Sequence, residues 1–526
     1  MGSLLPTTIR IDASLLNWHH LSSTASFLLL SSLLLGILSQ VLSRRLKVPT
    51  PLSEEVSDIL NRKRSYGANA RKLLDKYYER FKSKPFGIDT MDGVKVVLPL
   101  ASVDELKSHP ALSFKASIDN DALVNYTGIG GVDAWGVHQI LAKMNPSLGA
   151  YVPVFHGMIQ EHLPKFLGSP TDWTPVKPYQ HFFELVAILS ARIMHSDEAA
   201  RNPAWTNLSM SFVHTAIEYG SALKQWPPFL RPFVAYFLPE RLEKEKQWAK
   251  GREIVAKSIA RKSALDGAPL ENPPTMLDHL SSGEHADKAG DLDLQLLLQM
   301  TLAVASIHTT SSSMVQVLYD LAACPEYTEE LRQEVVEVLE SSGGIFTKQS
   351  LAEMKKLDSW MKESLRMNAP DLSKSASSHQ SSVSYKFEAT FQRMATKPVT
   401  IKDGTYIPAG TKMELPTSAI NFDASIYPDP HKFDGMRSYR QRQQDGMAHK
   451  HSFVSVTRTE LGWGFGRHAC PGRFLSDVEI KLMFAEFLLN YEIKNLDGQP
   501  RSKNVEFGVN VLPDPEHQVL IRARKV

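Results

Sequence analysis

The sequence predicts a mainly α-helical fold with small β-sheets, arranged as one large domain preceded by a single transmembrane helix. From about residue 54 onward, apolar residues recur at three- and four-residue spacing between short Gly and Pro signals, which is typical of helices. Strand-like runs are few, and the best candidates are 94–98, 398–401 and 517–521. The 526 residues are 43% hydrophobic and 22% charged, so the chain can bury a large core.

The N-terminal segment has the pattern of a membrane anchor. No Asp, Glu, Lys or Arg lies between Asp12 and Arg44, and 21–43 is long enough to cross a bilayer. Basic residues follow at once, so the positive-inside rule places the rest of the chain in the cytosol. A cleaved signal peptide is the alternative, but no small-residue cleavage site stands out. The predicted segments are a lumenal N-terminus at 1–20, an anchor at 21–43, a basic and proline-rich hinge at 44–53 and the main domain at 54–526.

Charge and cysteine content exclude several classes of protein. Lys and Arg number 59 against 57 Asp and Glu, and this net charge of +2 gives no global attraction to nucleic acid. The two cysteines, Cys324 and Cys470, are too few for a disulfide-rich secreted scaffold and suit a reducing compartment. They could pair with each other, or one thiol could be kept free for chemistry.

The second cysteine lies in a glycine-rich segment, 463–474, that leads into a helical pattern through Leu489. Gly466 and Gly472 allow the backbone to turn sharply and to approach a flat ligand closely. Cys470 then stands just before a helix, where backbone amides and the helix dipole favour a thiolate. A buried structural cysteine is the alternative, but Gly at both −4 and +2 accompanies roughly one cysteine in 200 by chance.

This segment resembles the haem-binding signature of the cytochrome P-450 family, aromatic-x-x-Gly-x-Arg/His-x-Cys-x-Gly. The resemblance implies that Cys470 is the axial ligand of a haem b iron, with Gly466 and Gly472 as cofactor-binding residues of the same loop. Trp463 stands where Phe is usual and would cover the sulfur. His468 stands where Arg is usual and would donate to a haem propionate.

A Glu-x-x-Arg motif, Glu363 to Arg366, places two opposite charges on one helix face. Alone, such a pair is common on surface helices. In the family the same pair is buried and is completed by an Arg from a later loop, which here matches Arg437. The implied role of this triad is to lock the loop that leads to the cysteine, and a planar guanidinium suits that role better than Lys.

The apolar run 292–323 carries Ala305-Ser-Ile-His308-Thr309-Thr310 and is predicted as one long buried helix. The residues alone allow its hydroxyls simply to bond back by one turn. The resemblance makes it the helix on the distal side of the haem, with Thr309 and His308 as catalytic residues that deliver protons. His308 replaces the family's usual acid, and an imidazole can relay protons near neutral pH.

Four other segments need a separate interpretation. The family's Trp-x-x-x-Arg pattern fails at Gln139, so His138 is either an ordinary helix residue or a haem contact. The apolar segment 226–238 is either a packed loop or a surface that dips into a membrane.

Segment 263–291, rich in Gly, Pro, Asp and Glu, is predicted to be a solvated connection. The Ser-rich stretch 371–390, where relatives pass directly from helix to strand, is an added surface loop or translated non-coding sequence.

The resemblance implies a haem-thiolate monooxygenase that oxidises a small lipophilic secondary metabolite from a single-pass anchor in the endoplasmic reticulum membrane. The motif forms look like those of fungal secondary-metabolism members, including the ent-kaurene-oxidase-like group, which favours a terpenoid or a terpenoid hybrid. A haem-thiolate isomerase or dehydratase that does not use NADPH is one alternative. A non-catalytic membrane protein that binds haem is the other.

The chain has no flavin or nicotinamide motif of its own. Electrons are therefore expected from NADPH through a separate cytochrome reductase, with cytochrome b5 as a second donor. Between residues 432 and 473 the chain has eight Lys and Arg against three acids, and part of this excess could form a basic docking face for the reductase.

Overall fold

The computed structural model describes residues 46–265, 269–281, 288, 290–368, 391–507 and 510–525. The predicted lumenal segment, the anchor at 21–43 and the Ser-rich stretch at 371–390 lie outside the described residues. Within those described ranges, no helix has both the length and the hydropathy needed to cross a bilayer.

Helices make up most of the described chain, in agreement with the predicted fold class. Those of the first half are α1 (Leu52–Glu55), α2 (Ile59–Tyr78), α3 (Val103–Leu106), α4 (Phe114–Ala122), α5 (Val124–Thr127), α6 (Ala134–Gln139), α7 (Asn145–Leu167), α8 (Pro178–Met194), α9 (Asp197–Ala200), α10 (Pro203–Lys224) and α11 (Arg231–Val234). Those of the second half are α12 (Pro239–Ser263), α13 (Met276–Leu280), α14 (Leu292–Ala323), α15 (Thr328–Ser341), α16 (Lys348–Glu353), α17 (Lys355–Met367), α18 (Thr417–Asn421), α19 (Arg437–Arg442) and α20 (Arg473–Asn490). A π-helical turn, Ile140–Met144, joins α6 to α7, and short 3₁₀ helices lie at Leu100–Ser102, Pro325–Tyr327 and Gly466–His468.

The long helix α14 forms the centre of the core, with the bounds that the apolar run predicted. Its N-cap Asp291 accepts a hydrogen bond from Leu294 N, and the helix ends just before Pro325, which cannot continue it. Because the segment is apolar on nearly every side, most of its length is buried. It packs most extensively against α8, and it also contacts α20, the helix that follows the cysteine loop.

The sheets are small, as predicted. The strands are β1 (Phe86–Thr90), β2 (Gly93–Val97), β3 (Leu112–Ser113), β4 (Thr174–Val176), β5 (Gln392–Ala395), β6 (Val399–Thr400), β7 (Tyr406–Ile407), β8 (Lys412–Glu414), β9 (Tyr491–Asn495), β10 (Val505–Phe507), β11 (Asn510–Leu512) and β12 (Val519–Ala523). The largest sheet has the order β1-β2-β8-β5-β3, in which β2 and β8 run parallel and the other neighbours antiparallel. A three-stranded sheet has the order β4-β12-β9, and β6-β7 and β10-β11 are two-stranded. The three predicted strand runs overlap β2, β6 and β12.

The connection at 263–291 is not the purely solvated segment that its composition predicted. It contains helix α13, whose apolar side chains are buried. Thr275 and Asp278 cap the start of this helix reciprocally, and Asp278 also accepts a hydrogen bond from Lys262 Nζ at 2.6 Å. The prediction failed because these polar groups are satisfied inside the fold and not by water.

A buried ion triad ties helix α17 to the segment that precedes the cysteine loop. Arg366 donates to the two Glu363 oxygens at 2.7 and 2.9 Å, and Arg437 donates to the same oxygens at 3.3 and 3.2 Å. Arg366 and Arg437 also donate to the carbonyls of Pro430 and Pro428, at 2.9 and 2.7 Å. Glu363 is only 2% exposed, so its charge must be compensated within the fold. The structure thus brings together the three residues that the sequence assigned to one triad.

Replacing Arg437 with Lys keeps the charge but removes the planar fork that joins Glu363 to the Pro428 carbonyl. We expect Arg437→Lys to lower the free energy of unfolding by about 2 kcal/mol, measured by urea and thermal unfolding. Arg440→Lys, in the same short helix, is the matched control. Arg440 pairs with Asp434 at an exposed position, where a salt bridge contributes about 0–1 kcal/mol. Equal losses in the two variants would contradict a stabilising role for the triad.

Candidate functional site

The cysteine loop folds back on itself through a backbone that requires glycine. Gly464 and Gly466 both have φ of +72°, and a Cβ on Gly466 would lie 2.7 Å from the backbone oxygen of Lys107. Cys470 N donates to Trp463 O at 2.7 Å and closes the loop. Trp463 and Cys470 are therefore neighbours in space, and coverage of the sulfur by the indole stays a prediction.

The Cys470 sulfur lies directly before helix α20, and the backbone amides of Gly472 and Arg473 donate toward it. Burial raises the pKa of the Cys470 thiol, and these amides and the Arg473 charge oppose that rise. A metal cation bound to the sulfur would displace the remaining proton. Both cysteines are free, so they do not pair with each other. Burial, and then the charges of Glu326 and Asp320, raise the pKa of Cys324 to about 11, whereas backbone amides oppose the rise at Cys470.

Helix α14 has an accessible strip in the middle of its otherwise buried length. Ala305 is exposed and Thr309, one turn later, is half-buried, whereas most of their neighbours on the helix are buried. Thr309 Oγ1 donates to Ala305 O at 2.8 Å. The next residue, Thr310, hydrogen-bonds to Ser476 at 2.8 Å, which holds the helix that carries Thr309 against the helix that follows Cys470.

His308 packs against helices α8 and α10. Its ring centroid lies 4.7 Å from that of Phe183 and 5.7 Å from that of His214. Burial, and secondly the charge of His214, lower the pKa of His308 to about 3. Its Nε2 is buried and has no hydrogen-bond partner among the described residues. The imidazole is therefore neutral at physiological pH, which differs from the expectation of a group that gains and loses its proton near neutrality.

Arg393, Arg467 and His468 meet beside the cysteine loop, and no carboxylate in the described part of the chain pairs with them. Arg393 of β5 is fully buried, donates to Phe465 O at 3.1 Å and leaves its Nε without a partner. Burial and then the Arg467 charge lower the pKa of Arg393 to about 9, so its guanidinium is still charged at neutral pH. A buried cation without an anion is costly, so a negatively charged ligand group would complete this cluster.

These features fit a haem with carboxylate side groups. The chain offers a free thiol, amides directed at it, a glycine backbone for close approach and a buried guanidinium that lacks an anion. His468, which the sequence assigned to a propionate, donates instead to the Leu112 carbonyl, and its pKa falls to about 4 through burial, Arg393 and Arg467. Sequence reasoning missed Arg393; the available signal was a lone charged residue in a short strand directly after the Ser-rich stretch.

The remaining predicted contact on the early helix is less well defined. His138 is exposed near the end of α6, whereas Gln139 is buried. A haem contact by His138 therefore stays a prediction.

A small apolar cavity borders the accessible strip of α14. Its walls include Ala122 of α4, Val213 and Ile217 of α10, and Val304, which directly precedes Ala305. The one hydroxyl in the wall, that of Thr127, donates to the Ala122 carbonyl at 2.9 Å. With its polar group already satisfied, this wall suits a hydrocarbon surface.

Comparison with known proteins places the chain in a family. The family model for cytochrome P-450 matches residues 138–521. The cytochrome P-450 monooxygenase braC of Annulohypoxylon truncatum is 35% identical over 501 residues, covering 93% of this chain and 95% of that protein. The cytochrome P-450 monooxygenase pyr3 of Aspergillus fumigatus is 30% identical over 476 residues, covering 88% of this chain and 86% of that protein.

A solved structure of retinoic acid-bound cyanobacterial CYP120A1 has the same fold, with a TM-score of 0.62 at 17% identity over 85% of this chain and 93% of that chain. The resemblance seen in the cysteine loop, the ion triad and the long helix thus extends over most of the molecule. The chain belongs to the cytochrome P-450 family and is a monooxygenase.

Proposed function

We propose that Cys470 is the axial thiolate ligand of a haem b, in a loop shaped by Trp463, Gly466 and Gly472. The observation that carries this proposal is the free, amide-facing thiol beside a fully buried Arg393 that lacks an anion. Arg393 would take a haem propionate. His468, already bonded to a carbonyl, would then line the same site as a neutral ring.

When bound, the haem supplies the oxidising chemistry that inserts one atom of dioxygen into an unactivated bond. The residues of the chain control water and protons around it. The amides of Gly472 and Arg473 donate toward the sulfur and favour its anionic form, against the burial that raises the pKa of the thiol. Thr309 Oγ1 can exchange its bond to Ala305 O for a bond to water, and so hold a proton source on the accessible strip. His308 would act behind this strip as a neutral hydrogen-bonding group.

The proposed substrate is a small lipophilic secondary metabolite, with a terpenoid or a terpenoid hybrid favoured. The cavity beside α14 has a volume of only about 10 Å³, so it is its apolar wall, which has no unsatisfied polar side chain, that supports a substrate with a hydrocarbon face. The fungal sources of the relatives support a role in secondary metabolism.

The proposed electron donor is NADPH through a cytochrome reductase, with cytochrome b5 as a second donor. Four of the eight basic residues counted for a docking face are engaged in ion pairs: Arg437 with Glu363, Arg440 with Asp434, Arg442 with Asp358 and Arg458 with Asp104. Lys432, Lys450, Arg467 and Arg473 have no carboxylate partner in the described ranges. The proposed docking face is therefore drawn from these four cations, the part of the counted excess that the described carboxylates leave unpaired.

The proposed location is the endoplasmic reticulum membrane, with the catalytic domain on the cytosolic side. The segment around α11 supports contact with lipid, because its aromatic side chains are strongly exposed. Phe229, Phe233 and Phe237 are 72%, 70% and 81% exposed. Of the two interpretations of 226–238, the membrane surface therefore fits better than a packed loop.

Cys470→Ala tests the proposed ligand. The reduced variant, reconstituted with haem, should lack the carbon monoxide difference band of a sulfur-ligated ferrous centre, because no other thiol lies in the loop. Cys324→Ala is the control and should keep the band. Persistence of the band in Cys470→Ala would refute the proposal.

Arg393→Met tests the proposed propionate contact. Methionine fills similar space but removes the charge, so we expect haem to dissociate about tenfold or more faster, the loss of one charge-assisted hydrogen bond. Transfer of haem to an excess of an apo-haem acceptor measures the rate. Arg458→Met, which removes a half-exposed cation paired with Asp104, should leave the rate unchanged. A wild-type rate for Arg393→Met would count against the contact.

Phe237→Cys, labelled with a fluorophore on the full-length protein in lipid vesicles, tests the membrane surface. A lipid-soluble quencher should reduce the emission at this position. Ile345→Cys is the control, because Ile345 is also exposed, at 58%, but lies between α15 and α16. Equal quenching at the two positions would exclude a specific lipid contact for the α11 segment.

A further inference from the structure

Asp358 in α17 is a buried carboxylate surrounded by donors. It is 4% exposed and accepts hydrogen bonds from Lys481 Nζ at 2.7 Å, Arg442 Nη1 at 3.0 Å and Phe453 N at 2.8 Å. Burial lowers the pKa of Lys481, but the carboxylates of Asp358 and Asp477 raise it more, so this lysine is charged. Asp358 cannot move without leaving two buried cations short of a partner.

Lys362, one turn later on α17, holds the other side of the same peptide unit. Its Nζ donates to Ser452 O at 2.8 Å and pairs with Glu460 at 2.9 Å. Ser452 C=O and Phe453 N–H belong to one planar group and point in opposite directions. Asp358 and Lys362 therefore clamp this peptide at both ends and fix its orientation.

Phe453 is the residue against which Trp463 rests. Trp463 Nε1 donates to Phe453 O at 2.7 Å, and the two rings meet edge-on with centroids 5.2 Å apart. Trp463 O in turn accepts the hydrogen bond from Cys470 N at 2.7 Å. A continuous path therefore leads from Asp358 through Phe453 and Trp463 to the backbone of the cysteine.

We propose that Asp358 is a positioning residue for the cysteine ligand and acts through Phe453 and Trp463. This inference rests on the proposed role of Cys470 as the axial ligand. If the clamped peptide rotates, the Cα of Phe453 moves with it, the next peptide carries Phe453 O away from the indole, and the loop loses one of its supports. Water then reaches the sulfur more easily, and the bound thiolate converts more readily to a thiol.

Asp358→Asn in the full-length protein, reconstituted with haem, tests the proposal. The amide keeps the shape of the side chain but removes the charge that faces Lys481 and Arg442. In the ferrous carbon monoxide complex, the thiolate-type band should convert to the thiol-type band about tenfold or more faster than in the wild type. The reduction potential, measured in parallel, should shift upward because the sulfur is more exposed to water.

Asp278→Asn is the matched control for loss of stability. Asp278 is also 4% exposed and accepts from a buried lysine, Lys262, and from the backbone N of Leu270 at 2.8 Å. These partners lie within 262–278, away from the cysteine loop in the chain. This variant should lose stability but keep the wild-type rate of band conversion. Equal acceleration in both variants would mean that Asp358 acts only on overall stability, and would overturn the proposal.

Trp463→Phe removes the N–H that reaches Phe453 together with part of the ring, so it should accelerate conversion as Asp358→Asn does. The double variant should convert no faster than the more affected single variant, because both changes act on one path. Additive effects would refute the path.

If Asp358→Asn takes up no haem while Asp278→Asn does, the test rests on Trp463→Phe. A wild-type rate of band conversion in Trp463→Phe would then refute the proposal. If the wild type shows no thiolate-type band, the proposed role of Cys470 as ligand is contradicted. If the wild type shows the band and Asp358→Asn converts at the wild-type rate, only this inference is contradicted.

Discussion

A carboxylate that is buried away from water has to be paired with cations or hydrogen-bond donors. Helix α17 carries two such carboxylates, those of Glu363 and Asp358. Glu363 recruits two arginines, one of them from the segment after 428, and Asp358 recruits a lysine from α20 and the peptide at Phe453. Apart from Arg366, which lies on α17 itself, each partner comes from a different stretch of chain around the cysteine. Satisfying the charges on one helix therefore determines the course of the long irregular segment that carries Cys470, where neither strand pairing nor helical hydrogen bonds could do so.

The same constraint is left unsatisfied at Arg393. Its guanidinium is fully buried and charged, yet nothing anionic in the described chain faces it. A protein that needs an external anion to balance its own interior gains stability from the ligand that brings it. In the proposed site, deprotonation of the Cys470 thiol on metal binding would add to this gain. Binding of the proposed haem would then be coupled to folding of the cysteine loop through two separate groups, one cationic and one that becomes anionic.

The fold was predicted where a physical rule acts locally. Helix α14 has sharp bounds because a continuous apolar run lies between a capping Asp291 and Pro325. The Cys470 loop and Glu363–Arg366 were recognisable because their residues are close together in the chain. Strand β5 and its Arg393 were not, since a four-residue buried strand gives little alternation. The role of Asp358 was not predicted, because its hydrogen-bond partners lie 84 to 123 residues away in the chain and no spacing in the sequence reveals them.

The two sides of the site differ in whether their buried side chains are charged. On the α17 side of Cys470, the buried carboxylates Glu363 and Asp358 are paired with cations and hold the backbone of the preceding segment. Across from it, α14 contributes a hydroxyl at Thr309, a neutral His308 and an apolar wall. Burial lowers the pKa of His308 to about 3, so this side of the site has no charge at residue 308 near neutral pH. In the proposed mechanism, protons would arrive along the accessible strip of the helix, and access of water to Thr309 would determine how fast they are delivered.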